Sequence, residues 1–138
     1  MNKRQKENKE SNAETGCNLP KGLAPVGPYA QMRRANKFIF ISGQIPIDPE
    51  TGKLIKGDFT KQAQQVLENL KLLLKAERSS IDCVVKINVF MKDLNNFVTF
   101  NEIYKEYFDK NSFPARTCIG ISNLLRDVEI EIDAVALI

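Results

Sequence analysis

The residues best suited to chemistry lie near the end of this 138-residue chain, on two stretches whose alternation is typical of β-strands. On residues 115–122, Arg116 and Cys118 are two positions apart, so both side chains leave the same face of the predicted strand. The other stretch, 128–137, alternates apolar residues with three carboxylates, Glu129, Glu131 and Asp133. Because like charges at that spacing repel, this acidic face must be solvated, paired with cations or part of a polar site.

The absence of histidine restricts what these residues can do. Ser-His-Asp and Cys-His nucleophilic sites and histidine-bound zinc all require imidazole, so acid-base work falls to other side chains or water. The planar guanidinium of Arg116 can hold a carboxylate bidentately. A carboxylate such as Glu131 can orient and deprotonate a water molecule. Together they are suited to hydrolysis of a small acid.

Each of these residues also has a purely structural interpretation. Arg116 can form an ion pair with the acidic face of the last strand, and Glu131 can pair with Arg116 or a lysine. The alternation does not separate Glu131 from Glu129 or Asp133. The thiol of Cys118 is better explained as a small apolar side chain than as a nucleophile, because no histidine is available to activate it.

Composition excludes several other classes of protein. The chain has 20 basic and 17 acidic residues, a balance that gives no signal for nucleic-acid binding. Its three cysteines lack Cys-x-x-Cys spacing, which argues against a disulfide framework or a thiolate metal site and favours a reducing, cytoplasmic compartment. No apolar run is long enough to cross a membrane. We expect residues 1–22 to be a disordered extension and 23–138 to be one domain.

The periodicity of apolar residues predicts two helices and five strands. A hairpin is predicted at 29–42, a helix from Phe59 with Asp58 or Thr60 as N-cap, and a strand at 81–91. A second helix begins near Phe97, capped by Asn95 or Asn96, and the strands 115–122 and 128–137 follow. This order predicts an α+β domain with both helices on one face of a mixed sheet. The other face has no helix, and oligomerisation would bury it.

Four segments in this order closely resemble the RidA (YjgF) family of reactive intermediate deaminases, also called L-PSP endoribonucleases. The segments are Gly27-Pro-Tyr-Ala-Gln31, Ile41-Ser-Gly-Gln-Ile-Pro46, Phe113-Pro-Ala-Arg-Thr-Cys118 and Glu129-Ile-Glu-Ile-Asp-Ala134. The resemblance covers about residues 23–138. Each motif alone is weak, but four at compatible spacing are hard to attribute to coincidence.

The resemblance implies a chorismate-mutase-like fold, a homotrimer and three ligand clefts between adjacent subunits. It also implies hydrolysis of 2-iminobutanoate and 2-iminopropanoate to 2-keto acids and ammonia, without metal or organic cofactor. Arg116 would anchor the substrate carboxylate and Glu131 would be the general base. The implied substrate-binding residues are Tyr29, Ser42, Gly43, Asn101 and Cys118, with Gly43 and Cys118 contributing backbone groups. Gly120 and Leu125 depart from residues common in the family, which bears on substrate range and loop rigidity.

Two other function classes make different demands on the sequence. A ribonuclease without histidine would need a metal site or Lys and Glu pairs, and a basic stripe on its surface. The basic residues here are scattered and offset by acids, so nucleic acid is not an expected partner. A non-catalytic module that binds small keto acids or a protein partner would keep Arg116 but would not need Glu131.

Overall fold

The computed structural model describes residues 19–138, so residues 1–18 of the predicted extension lie outside the described residues. Residues Lys21–Leu23 form a single 3-10 turn, and Leu23 is buried in the core. The elements that follow are β1 Met32–Ala35, β2 Phe38–Gln44, α1 Phe59–Ala76, β3 Val84–Met91, α2 Phe97–Tyr107, β4 Ala115–Gly120 and β5 Ile130–Leu137. The predicted order of helices and strands is confirmed.

The five strands form one mixed sheet in the order β1-β2-β5-β3-β4. Strands β3 and β4 are parallel and are joined by α2, whereas every other neighbouring pair is antiparallel. The predicted hairpin is β1 with β2, in which Ala35 pairs with Phe38. The α+β architecture predicted from the sequence is therefore confirmed.

The helices cover one face of the sheet because each has an apolar stripe at helical spacing. In α1 this stripe includes Leu67, Leu70 and Leu74, all fully buried. The Asp58 carboxylate caps α1 by accepting hydrogen bonds from the backbone N–H of Thr60, at 2.9 Å, and of Lys61. Of the two N-cap residues predicted for α1, Asp58 has that role and Thr60 lies inside the helix.

Several element ends differ from the sequence prediction. Residues Ile81–Cys83 form a 3-10 turn before β3, and β5 begins at Ile130 rather than at residue 128. A 3-10 turn, Leu94–Asn96, also precedes α2. Its cap is Asp93, which accepts from the N–H of Asn95 at 2.9 Å, whereas the Asn96 side chain makes no capping bond. The expected asparagine cap is thus replaced by an aspartate that caps the preceding turn.

The sheet face opposite the helices carries exposed apolar side chains. Phe38 and Phe40 on β2 are 41% and 48% exposed, and Leu137 beside Phe38 on β5 is 38% exposed. Such a contiguous apolar patch is typical of an interaction surface. Within residues 19–138, no helix is both long and apolar enough to span a bilayer.

Candidate active site

A β-bulge at the end of β2 shapes one part of the candidate site. Ile41 pairs with Ala134 and Gln44 with Ile132, so β2 contains one residue more than β5 between these pairs. The extra residue brings Gly43 against the side chain of Glu131. A Cβ atom at Gly43 would overlap a carboxylate oxygen of Glu131 and lie 3.0 Å from its Cδ. Gly43 is therefore required for this close approach.

Two amide side chains hold the bulge in place. Gln44, only 3% exposed, donates from Nε2 to the Gln31 side-chain oxygen and to the Ser42 carbonyl, both at 2.9 Å. Gln31 in turn donates from its own Nε2 to the Leu23 carbonyl at 2.6 Å. The Ser42 hydroxyl donates to the Ala30 carbonyl at 2.5 Å. Ser42 thus ties the bulge to the preceding loop.

The three carboxylates of the acidic face have different partners. Glu129 lies 3.6 Å from the Lys92 ammonium group, which also pairs with Asp127 at 2.6 Å. Asp133 accepts a hydrogen bond from Asn88 Nδ2 at 2.7 Å. Glu131 has no lysine or arginine within 4.0 Å among residues 19–138. The structure therefore separates Glu131 from its two neighbours, which the sequence pattern did not.

The environment of Glu131 favours its protonated form relative to a free glutamate. Burial raises the pKa of this carboxyl above its ordinary value of 4.5, and the negative charge of Asp133 raises it further. A higher pKa makes the carboxylate a stronger base once it is ionised. Glu131 thus has the properties of a general base. Within the described residues it does not form the ion pair with Arg116 or a lysine that was its alternative, structural interpretation.

Arg116 lies on the other face of the sheet, beneath α2. On the parallel neighbour β3 it pairs with the fully buried Ile87, so both side chains point toward the helices. The guanidinium carbon is 4.7 Å from the ring centroid of Tyr104. No carboxylate of residues 19–138 lies within 4.0 Å of the Arg116 guanidinium. The expected alternative, an ion pair with the acidic face, is absent from this part of the chain.

Arg116 forms one wall of a cavity of about 510 Å³ between α2 and the start of β4. The cavity combines apolar walls with a few polar groups, and its lining residues are Val98, Asn101, Glu102, Tyr104, Lys105, Phe113, Pro114 and Arg116. Lys105 is paired with Glu102 at 2.8 Å. The Arg116 guanidinium is therefore the cationic group in this cavity that has no carboxylate partner among residues 19–138. A cavity that combines apolar walls with one such cation suits a small carboxylate ligand.

Cys118 follows Arg116 on the same face and packs against the hydrophobic core. Burial raises the pKa of its thiol, an effect that the Arg116 charge only partly opposes. The thiol is thus held in its protonated form at neutral pH, which agrees with its interpretation as a small apolar side chain rather than a nucleophile.

The described chain places the seven predicted site residues in separate groups. Arg116, Asn101 and Cys118 lie on the helix-covered side, whereas Gly43 and Glu131 lie together on the opposite face of the sheet. Ser42 belongs to the bulge beside them, and Tyr29 is 47% exposed in the loop before β1. Among residues 19–138, no group of three Cys, Asp or Glu side chains is arranged to hold a metal ion.

The two amide side chains that support the site, the half-buried Gln31 and the buried Gln44, were not predicted from the sequence. Both are polar residues next to the apolar cores of β1 and β2, which is the available signal for a hydrogen-bonded pair at the edge of the core. Tyr104 was also not predicted as a neighbour of Arg116, since its helical spacing indicated only a packed face.

A family model described as Endoribonuclease L-PSP matches residues 20–138. The chain belongs to this family. A RutC family protein of Pyrococcus horikoshii is 50% identical over 119 residues, which are 86% of this chain and 91% of the relative. Escherichia coli TdcF, provisionally named a reactive intermediate deaminase, is 42% identical over 80% of this chain and 87% of TdcF. The resemblance to the RidA family found in the sequence motifs is confirmed.

Solved structures of family members have the same fold. The crystal structure of Escherichia coli TdcF with bound serine matches with a TM-score of 0.78 and 39% identity, over 87% of this chain and 97% of that chain. RidA from an Antarctic Psychrobacter matches with a TM-score of 0.80 and 35% identity, over 87% of this chain and 98% of that chain. The RidA-like fold is therefore shared across the described domain.

Proposed function

We propose that this protein is a hydrolytic deaminase of small 2-imino acids that works without metal or organic cofactor. Its substrates would be 2-iminobutanoate and 2-iminopropanoate, and its products the 2-keto acids and ammonia. The observation that carries the proposal is the Arg116 guanidinium, which lines the cavity beside the Tyr104 ring and has no carboxylate partner in the described chain. A bidentate pair with the substrate carboxylate would satisfy this charge.

Glu131 supplies the base in this mechanism. As the oxygen of a water molecule bonds to the imine carbon, the C=N π electrons move to nitrogen and Glu131 takes a water proton. Glu131 passes that proton to nitrogen, giving a carbinolamine. It then takes the hydroxyl proton while C=O forms, the C–N bond breaks, and ammonia leaves with the returned proton. The raised pKa of Glu131 suits a group that both accepts and returns a proton.

The site is assembled in this proposal from two subunits of a homotrimer. Arg116 and Glu131 lie on opposite faces of one sheet, so a single ligand that touches both needs one of them from a neighbouring copy. The exposed Phe38, Phe40 and Leu137 supply an apolar surface on the Glu131 side that subunit contact would bury. Oligomerisation and catalysis are thus linked by the same sheet face.

The relatives support the ligand class. TdcF is named for a deaminase activity, and its crystal structure holds serine, an α-amino acid with a carboxylate beside a nitrogen-bearing carbon. A 2-imino acid has the same two groups. The free thiols Cys83 and Cys118 suit a reducing compartment such as the cytoplasm.

RNA cleavage is the activity in the family description. Among the basic groups near the site, Lys105 is paired with Glu102, and Lys92 with Asp127 and Glu129. A phosphate backbone requires a continuous basic stripe, and these pairs do not form one. We therefore place RNA cleavage below imine hydrolysis as a function of this chain.

One set of measurements on a single pure preparation tests the proposal. Imino acids would be generated in situ by an amino-acid oxidase, and their hydrolysis followed against the uncatalysed background. 2-Oxobutanoate binding, RNA cleavage and mass by light scattering would be measured in parallel. We expect hydrolysis, keto-acid binding and a trimer. Binding without hydrolysis would instead identify a binding module, and a monodisperse monomer would remove the two-subunit site.

A further inference from the structure

A row of aromatic side chains on α2 faces Arg116. These side chains recur every three or four residues along α2 and its C-terminal end, so they share one helical face: Phe97, Phe100, Tyr104 and Phe108. The Arg116 guanidinium carbon is 5.6 and 5.8 Å from the ring centroids of Phe97 and Phe100, but 4.7 Å from that of Tyr104. Tyr104 is therefore the nearest ring to the guanidinium.

The Tyr104 ring is held rigidly by other rings. Its centroid is 4.3 Å from that of Phe108 and 6.0 Å from that of Phe113, with an interplanar angle of 28° in both pairs. Phe100 packs against it at 5.6 Å. The residue is only 4% exposed. Aromatic packing of this kind fixes the ring plane more firmly than solvent contact would.

The Tyr104 hydroxyl takes no part in this support. It is buried and has no hydrogen-bond partner among residues 19–138. A buried hydroxyl without a partner destabilises the fold because it makes no hydrogen bond. Removal of the Tyr104 hydroxyl would therefore leave the packing of the ring intact. The ring and the hydroxyl can therefore be separated by substitution.

Arg116 needs support from the ring because no carboxylate among the described residues holds its guanidinium. A guanidinium within about 6 Å of a ring centroid is attracted by the negative face of the ring. In contact with an aromatic face, its N–H groups remain available at the edge of the plane. We propose that Tyr104 is a positioning residue, whose ring holds the Arg116 guanidinium in the orientation that receives a ligand carboxylate.

The test compares three kinds of variant. Tyr104→Phe keeps the ring and removes the hydroxyl, whereas Tyr104→Leu and Tyr104→Met remove the aromatic face, the methionine filling more of the space. Tyr107→Leu is the matched control, because this tyrosine on the same helix has the Lys71 ammonium 5.6 Å from its ring and does not line the Arg116 cavity. Thermal unfolding identifies variants that remain folded.

Two readouts are needed, and the first is independent of any ligand. The side-chain Nε–Hε resonance of Arg116, assigned by its loss in Arg116→Lys, reports the ring current of Tyr104. The second is the affinity for 2-oxobutanoate by calorimetry. We expect Tyr104→Leu or Tyr104→Met to move the Arg116 resonance and weaken binding about tenfold. Tyr104→Phe should restore both, and Tyr107→Leu should change neither.

Two results would overturn the assignment. One is an Arg116 resonance that stays in place when the ring is removed. The other is a Tyr104→Phe variant that binds as weakly as Tyr104→Leu, which would transfer the role to the hydroxyl. The identity of the ligand rests on the proposed function. Failure of that function can be distinguished from failure of the Tyr104 assignment. A wild-type protein that neither binds 2-oxobutanoate nor hydrolyses imines would refute that function, while the Arg116 resonance would still test Tyr104.

Discussion

Arg116 and Glu131 project from opposite faces of the same sheet. Both can be located on β3, where Arg116 pairs with Ile87 and Glu131 pairs with Phe90. These two partners are three residues apart in a regular part of β3, so they point to opposite sides. The cation suited to a substrate carboxylate and the carboxylate suited to activating water therefore cannot share a ligand within one subunit.

Mixing two inactive variants tests whether neighbouring copies complete the site. We expect Arg116→Ala and Glu131→Gln each to be inactive, and activity to return after the two are unfolded and refolded together. In a trimer with three intersubunit sites, random 1:1 mixing restores about one quarter of the sites. The matched control is a mixture of Arg116→Ala with the Arg116→Ala, Glu131→Gln double variant. No chain in this mixture has an intact Arg116, so the mixture stays inactive. No recovery in the mixture of the two single variants would show that neighbouring copies do not complete a shared site from these two residues.

Substitution of Arg116 should weaken ligand binding by two routes. Arg116→Ala removes the charge, and Arg116→Lys keeps it but loses the planar fork that pairs bidentately with a carboxylate. We expect 2-oxobutanoate binding to weaken by at least about tenfold in both variants, measured by calorimetric titration. Lys75→Ala, which removes an exposed cation from α1, is the control. Wild-type affinity in either Arg116 variant would make Arg116 a structural residue.

The parts of this fold that depend on local sequence could be predicted. The α1 stripe and the alternation of β5 are periodic patterns, so the sequence was sufficient to define the helix and to place Glu131 with Asp133 on one face. Asp58 was likewise one of the two residues, with Thr60, that were predicted to cap α1. In each case the relevant contacts are between residues close together in the chain.

The parts of the fold that depend on strand register could not be predicted from the sequence. Alternation shows that Arg116 and Glu131 each lie on some face of a strand, but only pairing through β3 shows that these faces are opposite. The single extra residue in β2 that brings Gly43 against Glu131 has no periodic signature. Pairing with Lys92 distinguishes Glu129 from Glu131, and this contact joins residues that are distant in sequence.

Glu131→Gln should slow imine hydrolysis while leaving the fold and keto-acid binding unchanged. The amide keeps the size of the side chain but cannot accept the proton, and loss of a general base typically costs about 10² to 10⁴-fold in rate. Glu129→Gln is the matched control, since Glu129 immediately precedes β5 and pairs with Lys92. A Glu131→Gln rate within about threefold of wild type, far inside the range for a lost base, would assign water activation to another group.

The same substitution, Glu131→Gln, should raise the stability of the fold although it lowers the rate of hydrolysis. Burial and Asp133 raise the folded-state pKa of Glu131 above 4.5, so the folded state holds the ionised form at a cost. This cost is absent below the unfolded pKa and grows as pH rises through the raised folded pKa. Glu131→Gln should therefore gain stability relative to wild type as pH rises from about 4 to about 7, measured by thermal unfolding. A relative loss would show that a cation from a neighbouring subunit pairs with Glu131.

Gly43→Ala should displace Glu131, because the added Cβ would occupy the position of a carboxylate oxygen. Because the displaced atoms are the end of a flexible side chain, we expect a loss of only about 1 kcal/mol in the free energy of unfolding, the low end for overpacked sites. Shortening the opposing side chain should relieve it, so Gly43→Ala with Glu131→Ala should be destabilised by less than the sum of the two single variants, by roughly 0.5–1 kcal/mol. Gly43→Ala with Glu129→Ala should be additive, because Glu129 is not among the atoms that the new Cβ would meet. Additivity in the Glu131 pair as well would mean that the bulge moves instead, and that the contact between Gly43 and Glu131 does not fix the base.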